Sequence, residues 1–105
     1  MDEKDKQLQR ITGFESVLDQ GLSATKELSA ALDRLGALLP ALKRLEAYFT
    51  GDLWKRDFAD DEAGLLPQSL KRGVLSEDAV NDLLDALLHL NTRMAALAAQ
   101  GTMGD

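Results

Sequence analysis

The fold is decided by one long stretch, residues 8–49, which reads LQRITGFESVLDQGLSATKELSAALDRLGALLPALKRLEAYF. Apolar residues recur in it at alternating steps of three and four, as they do along one face of an α-helix. This apolar stripe consists of Leu8, Ile11, Phe14, Leu18, Leu22, Thr25, Leu28, Leu32, Leu35, Leu39, Leu42, Leu45 and Phe49. Its mean spacing, about 3.5 residues rather than 3.6, indicates packing along a second helix. We therefore predict a long helix with an extended partner.

Four residues oppose a straight helix in this stretch. Gly13, Gly21 and Gly36 each destabilise a helix interior by about 1 kcal/mol relative to Ala, and Pro40 lacks a backbone donor. The apolar phase nevertheless continues through Pro40. A chain reversal would have no reason to keep that phase, so we predict a kink between Gly36 and Pro40. A break into two helices at that point is the alternative.

Two short helical segments are predicted to connect the long helix to a later one. Gly51 is expected to end the first helix, and Asp52 to cap a short helix that ends at Phe58. Residues 60–64 read as a solvated turn. Residues 68–72 follow a proline and precede a glycine, which indicates a second short helical turn.

The last predicted element is a helix from Ser76, its N-cap, to about Ala99, with a broad apolar face. We therefore predict an all-α fold: an antiparallel helical hairpin or small bundle with a long kinked N-terminal helix, two short connecting helices and a C-terminal helix. Residues 1–100 are expected to form a single helical domain. Residues 101–105 are expected to be a disordered tail.

Composition limits the classes of function. The chain has 105 residues, of which 45% are hydrophobic and 29% charged, as in ordinary folded domains. Its net charge of -6 argues against nucleic acid and membrane surfaces as partners. Cysteine is absent, so a disulfide or a thiolate metal site is excluded. The charged residues 1–6 do not resemble a signal peptide, and we expect a cytoplasmic protein.

The two long helices are predicted to differ in length. A first helix of about 40 residues spans roughly 60 Å, and a last helix of about 24 residues spans roughly 36 Å. An antiparallel pair leaves Leu8, Ile11 and Leu18 uncovered. Because apolar surface of this kind usually binds a partner, we predict a homodimer that forms through the N-terminal helix.

A second pattern lies between Tyr48 and Leu84. It consists of Tyr48-Phe49, Trp54, Asp57-Phe58, the run DEAGLLP at 61–67, the run KRGVLSEDA at 71–79 and the run DLL at 82–84. These residues resemble a small bacterial family, domain of unknown function 4298. The resemblance implies a short helical protein in the bacterial cytoplasm, and it implies no activity, cofactor or partner.

Three groups of residues in the connecting segment are candidates for chemistry. The acidic cluster at 57–62 offers carboxylates to Mg²⁺ or Ca²⁺, but its spacing is not that of an EF-hand, and a solvated turn is the favoured interpretation. The basic turn at 71–73 precedes a helix N-terminus that attracts anions, although self-capping by Glu77 and Asp78 is favoured. Trp54 belongs to an aromatic cluster that is either a hydrophobic plug, which we favour, or a binding anchor.

These patterns favour a non-enzymatic protein-protein interaction domain or structural adaptor. The alternative is a small-ligand or metal-binding module, with or without enzymatic activity, that uses the acidic 57–62 turn and the basic 71–73 turn. We assign no catalytic, cofactor-binding or metal-ligating residue, and the single histidine, His89, is predicted to lie at the surface. The candidate interaction surface consists of Trp54, Asp57, Asp61, Lys71 and Arg72.

Overall fold

The computed structural model describes residues 2–101. Helix α1 spans Glu3–Phe49, α2 spans Asp52–Glu62, a 3₁₀ turn spans Gly73–Leu75, and α3 spans Glu77–Gln100. The part of the chain that is described contains no strand, so the predicted all-α class is confirmed. Of the predicted disordered tail, residues 102–105 lie outside the described residues.

Helix α1 continues through Pro40 without a break, so the alternative of two helices is wrong. The helix begins with a side-chain cap, because the Asp2 carboxylate accepts a hydrogen bond of 2.8 Å from the backbone N–H of Asp5. A proline ring inside a helix crowds the carbonyl four residues earlier, which here belongs to Gly36. The kink between these two residues stays a prediction.

Helix α2 is longer than predicted. Its N-cap residue is Gly51 rather than Asp52, and the helix ends at Glu62 rather than Phe58. Gly64 follows two residues after this end, and its φ of 74° is in the left-handed region that glycine tolerates best. The N–H groups of Leu65 and Gly64 then donate to the carbonyls of residues 60 and 61, both at 3.0 Å. Three of the five residues of the predicted turn at 60–64 therefore belong to the helix, so the prediction is wrong for 60–62 and correct for 63 and 64.

The second connecting segment lies later in the chain than predicted. Helical structure occurs at Gly73–Leu75 and not at 68–72. Before it lies a single turn, in which the N–H of Leu70 donates to the carbonyl of Pro67. The guanidinium of Arg72 donates to three backbone carbonyls of this turn, those of Pro67, Gln68 and Leu70. Ser76 is the predicted N-cap of α3, and its hydroxyl accepts from the N–H of Ala79 at 3.2 Å.

Internal contacts divide the chain into two compact units, an N-terminal unit at 1–42 and a C-terminal unit at 43–105. In the described part of the N-terminal unit, which is helical, no residue is buried. The C-terminal unit has a small core made of Trp54, Leu75 and Val80, contributed by α2, the 3₁₀ turn and the first turn of α3. The single domain at 1–100 stays a prediction.

Candidate functional site

Trp54 is the centre of the C-terminal unit. Helix α2 places its ring edge-on against Phe49, at 5.0 Å and 76° between the rings, and stacked on Phe58, at 5.2 Å and 20°. The indole Nε1 donates a 2.9 Å hydrogen bond to the carbonyl of Val74. With only 9% of its surface exposed, Trp54 attaches the 3₁₀ turn to α2. This arrangement agrees with the interpretation of the aromatic cluster as a plug.

Tyr48 links the last turn of α1 to α2. Its hydroxyl donates to the Asp57 carboxylate across 2.6 Å, a short distance typical of a hydrogen bond to a charged acceptor. This hydrogen bond, with smaller contributions from burial and from the nearby negative charge, raises the pKa of Tyr48 to about 12. Loss of the tyrosine proton would place two negative charges side by side. The hydrogen bond between Tyr48 and Asp57 therefore connects the two helices while the tyrosine is neutral.

Arg72 fixes the connecting segment to α2. Its Nε lies 3.0 and 3.2 Å from the two carboxylate oxygens of Asp61, and its Nη2 lies 3.0 Å from one of them. The same guanidinium donates to the carbonyls of Pro67, Gln68 and Leu70 at 3.0 to 3.2 Å. The planar guanidinium has five N–H donors, so it can bond to the carboxylate and to the carbonyls at the same time. A lysine ammonium could not make the same set of hydrogen bonds.

The apolar stripe of α1 is exposed over its whole first half. Leu8 is 55% exposed and Phe14 is 69% exposed, and every stripe residue from 8 to 32 is classed as exposed. Val17, at 62% exposure, widens this surface. The sequence interpretation missed Val17 because it lies off the steps of three and four. A helix with so little burial lacks the packing that normally supplies helix stability in proteins.

A groove in the C-terminal unit separates the end of α1 from the middle of α3. It has a volume of about 320 Å³ and is lined by Glu46, Leu84, Asp85, Leu87, Leu88 and Asn91. Its apolar lining includes Leu88, which is 68% exposed, and two carboxylates belong to the same lining. The sequence placed the three leucines on the apolar face of the last helix but gave no sign that Glu46 would lie beside them.

The family comparison covers both of these surfaces. The sequence model described as Domain of unknown function (DUF4298) matches residues 11–97. The chain belongs to this family. The match includes the apolar stripe from Ile11 onward and the whole groove lining. No curated protein and no solved structure matches the chain. Among the helices at 2–101, none is sufficiently long and apolar to cross a membrane.

Within the family match, the five predicted interaction residues have different surroundings. Asp61 and Arg72 contact each other, Trp54 is in the core, and Asp57 accepts from tyrosine. Lys71 is exposed, and across residues 2–101 no hydrogen bond or ion pair is described for it. Their joint role as an interaction surface stays a prediction.

Some carboxylates of the acidic cluster at 57–62 already bond to other side chains. Asp57 bonds to Tyr48 and Asp61 bonds to Arg72, so half of its four carboxylates already have protein partners. Over the described residues, no three side chains of His, Cys, Asp or Glu are grouped so that they could hold a metal ion.

Proposed function

We propose that this chain is a non-enzymatic interaction domain, a structural adaptor of the bacterial cytoplasm that forms a homodimer by coiled-coil pairing of α1. The proposal rests on one observation, the uncovered apolar stripe between Leu8 and Leu32. Contiguous exposed apolar surface on a folded protein usually marks a place where another molecule binds. A second copy presents the same stripe and is the simplest partner.

The energetics of α1 support a partner. Gly13, Gly21 and Gly36 cost about 1 kcal/mol each in a helix interior, and Pro40 costs about 3 kcal/mol. Tertiary packing, rather than intrinsic propensity, supplies most helix stability in proteins. Full burial of one Leu, Ile or Phe side chain contributes about 1.5 to 3 kcal/mol. Covering several half-exposed stripe residues on each of two copies therefore gives a gain comparable to the cost of association, about 4 to 15 kcal/mol.

The test is the oligomeric state of a stripe variant. We expect the parent chain to sediment as a dimer at micromolar concentration, and Phe14→Ser with Leu18→Ser to sediment as a monomer. A matched control, Lys26→Ser with Asp33→Ser, makes two serine substitutions in the same helix outside the stripe. It should remain dimeric. A parent chain that is monomeric throughout the micromolar range contradicts the proposal.

A further inference from the structure

The exposed part of the apolar stripe on α1 contains one gap. Every stripe residue from Leu8 to Leu32 is exposed, and Leu35 is the first that is partly buried. With Ile11 taken as position a of a heptad, the a and d positions of this exposed part are Ile11, Phe14, Leu18, Gly21, Thr25, Leu28 and Leu32. Gly21 interrupts this row of larger side chains, and the gap that it leaves is called the Gly21 notch below.

Within residues 2–101, no neighbouring side chain explains why a glycine stands at position 21. A Cβ there would meet no atom within 4 Å, and glycine destabilises a helix interior relative to alanine. Thr25 lies one turn later, and its hydroxyl donates to the carbonyls of Gly21 and Leu22 at 2.9 and 3.1 Å. An apolar side chain can therefore cover Thr25 without leaving its hydroxyl unpaired. Both small residues suit a position opposite a large residue of another helix.

An antiparallel pair of α1 helices provides large residues at both positions. In such a pair, the a positions of one helix lie opposite the d positions of the other. The register that matches the exposed part with itself overlays residues 7–32 on residues 32–7 of the second copy. It places Leu18 opposite Gly21 and Phe14 opposite Thr25, and it places Ile11 opposite Leu28. Each small residue then faces a large one.

The same register brings opposite charges together beside the contact. Arg10 of one copy lies within one helical turn of the level of Glu27 in the other, on the same side of the pair. Glu15 lies in the same way near Lys26 on the other side. All four side chains are exposed, and the single ion pair described within residues 2–101 involves none of them. The flanks of the two copies are therefore complementary in charge.

The Gly21 notch distinguishes the antiparallel orientation from the parallel one. A parallel pair in register would also set opposite charges side by side, Arg10 beside Glu15. Exposed ion pairs contribute little, so these charges do not decide the orientation. The parallel pair would set Gly21 against Gly21 and leave a void, which destabilises an apolar contact. The antiparallel pair fills this space with Leu18.

We propose that α1 pairs with α1 of a second copy in antiparallel orientation over residues 7–32, with Leu18 of each copy packed into the Gly21 notch of the other. The inference rests on the homodimer proposed above and specifies its orientation and register. Each dimer contains the notch contact twice, because a two-fold interface is self-complementary.

Filling the notch tests the inference by the sign of its effect on the dissociation constant, measured by sedimentation equilibrium. The matched control is Gly13→Leu, which makes the same change in α1 outside the a and d positions and brings the same gain in helix propensity. We expect Gly21→Leu to dimerise at least about tenfold more weakly than this control, because the new side chain collides with Leu18 of the second copy. Leu18→Gly with Gly21→Leu exchanges the two residues and should dimerise more tightly than Gly21→Leu alone. In a parallel pair Gly21→Leu would fill a void, so dimerisation as tight as that of the control, or tighter, overturns the inference.

Crosslinking provides a second measurement of the orientation, because the chain contains no cysteine. One chain carries Ile11→Cys and a second, differently tagged chain carries Leu28→Cys, and the mixture is treated with a short bismaleimide. These positions face each other in the antiparallel pair and lie roughly 25 Å apart in a parallel one. We expect a crosslink between the two kinds of chain. Ala30→Cys, on the opposite face of α1 two residues after Leu28, should crosslink to Ile11→Cys at least about tenfold less.

The outcomes separate the two proposals. A stable dimer that Gly21→Leu does not weaken, or that crosslinks mainly between two Ile11→Cys chains, refutes the antiparallel register and leaves the homodimer intact. A stable dimer without the crosslink between Ile11→Cys and Leu28→Cys refutes the register as well. A parent chain that never dimerises refutes the proposed function itself.

Discussion

Tyr48 and Asp57 make the clearest pH-dependent contact in the molecule. The pKa of Tyr48 is raised to about 12 from its ordinary value of 10, mainly by the hydrogen bond to Asp57. A group whose pKa is raised by folding stabilises the folded state fully below its unfolded pKa. The stability contributed by this contact is therefore complete below about pH 10 and is lost as the pH rises through about 12.

We expect ultraviolet titration of tyrosinate to show this pKa directly, since Tyr48 is the sole tyrosine. The parent should titrate near 12, and Asp57→Asn should titrate closer to 10, because the charged acceptor is gone. Circular dichroism at each pH serves as the control for folding. A parent chain that titrates near 10 while still folded contradicts the assigned hydrogen bond.

Arg72 and Lys71 are neighbours in the chain with different roles in the structure. Arg72 binds Asp61 and three carbonyls, whereas Lys71 is exposed. We expect Arg72→Ala to lower the free energy of unfolding by about 2 kcal/mol, because it removes the partner of the part-buried Asp61 carboxylate and a donor to three exposed carbonyls. Lys71→Ala should change it by less than about 0.5 kcal/mol. Urea denaturation measures both values.

Equal effects of the two substitutions would show that the Arg72 contacts contribute little to stability. The same pair of variants also decides how the predicted interaction surface is best tested. Loss of binding in Arg72→Ala could reflect a displaced connecting segment. Lys71→Ala changes the charge alone and is therefore the variant that reports on binding.

At the scale of elements, Gly64 determines where α2 ends. Its φ of 74° costs other residues about 1 to 2 kcal/mol, and a Cβ there would meet no atom within 4 Å, so the cost is conformational. We expect Gly64→Ala to reduce the free energy of unfolding by about 1 kcal/mol.

Gly13→Ala is a control with the opposite expected sign. Because Gly13 is helical with open space around it, this substitution should stabilise α1 by about 0.5 to 1 kcal/mol. Thermal unfolding that moves in the same direction for both variants would contradict this account.

The elements that sequence predicted correctly are those with local signals. The steps of three and four repeat along residues 8–49 and continue through Pro40, so α1 could be predicted as one helix. Ser76 bonds to the N–H of Ala79, three residues away, and an N-cap of this kind is visible in sequence. Both signals lie within a few residues of the structure that they produce.

The features that sequence did not predict depend on distant partners. The polar run at 60–62 looked like a turn, yet Asp61 is held in α2 by an arginine eleven positions later. The groove joins Glu46 to leucines of α3. The spacing of residue types along the chain cannot show such contacts, because it does not indicate which segments lie next to each other in the folded protein.

At the scale of the whole molecule, the two units differ in what stabilises them. The C-terminal unit has a buried core and specific polar contacts from Tyr48, Trp54 and Arg72. The described part of the N-terminal unit has neither a buried residue nor an ion pair. If a second copy supplies the missing packing, the helical state of residues 8–32 depends on protein concentration, whereas that of the C-terminal unit does not.

Hydrogen exchange measured across a dilution series tests this dependence. Above the dissociation constant, we expect the amides of residues 11–32 to be protected, because opening the helix would also break the dimer. Below it, these amides should exchange rapidly, since a helix without packing opens at little cost in free energy. Residues 80–90 should keep the same protection throughout, which provides an internal control within α3. The Phe14→Ser, Leu18→Ser chain should exchange rapidly at residues 11–32 at every concentration. Protection of these residues that survives dilution in both chains would mean that α1 is stable without a partner, and the stripe would then have no role in folding.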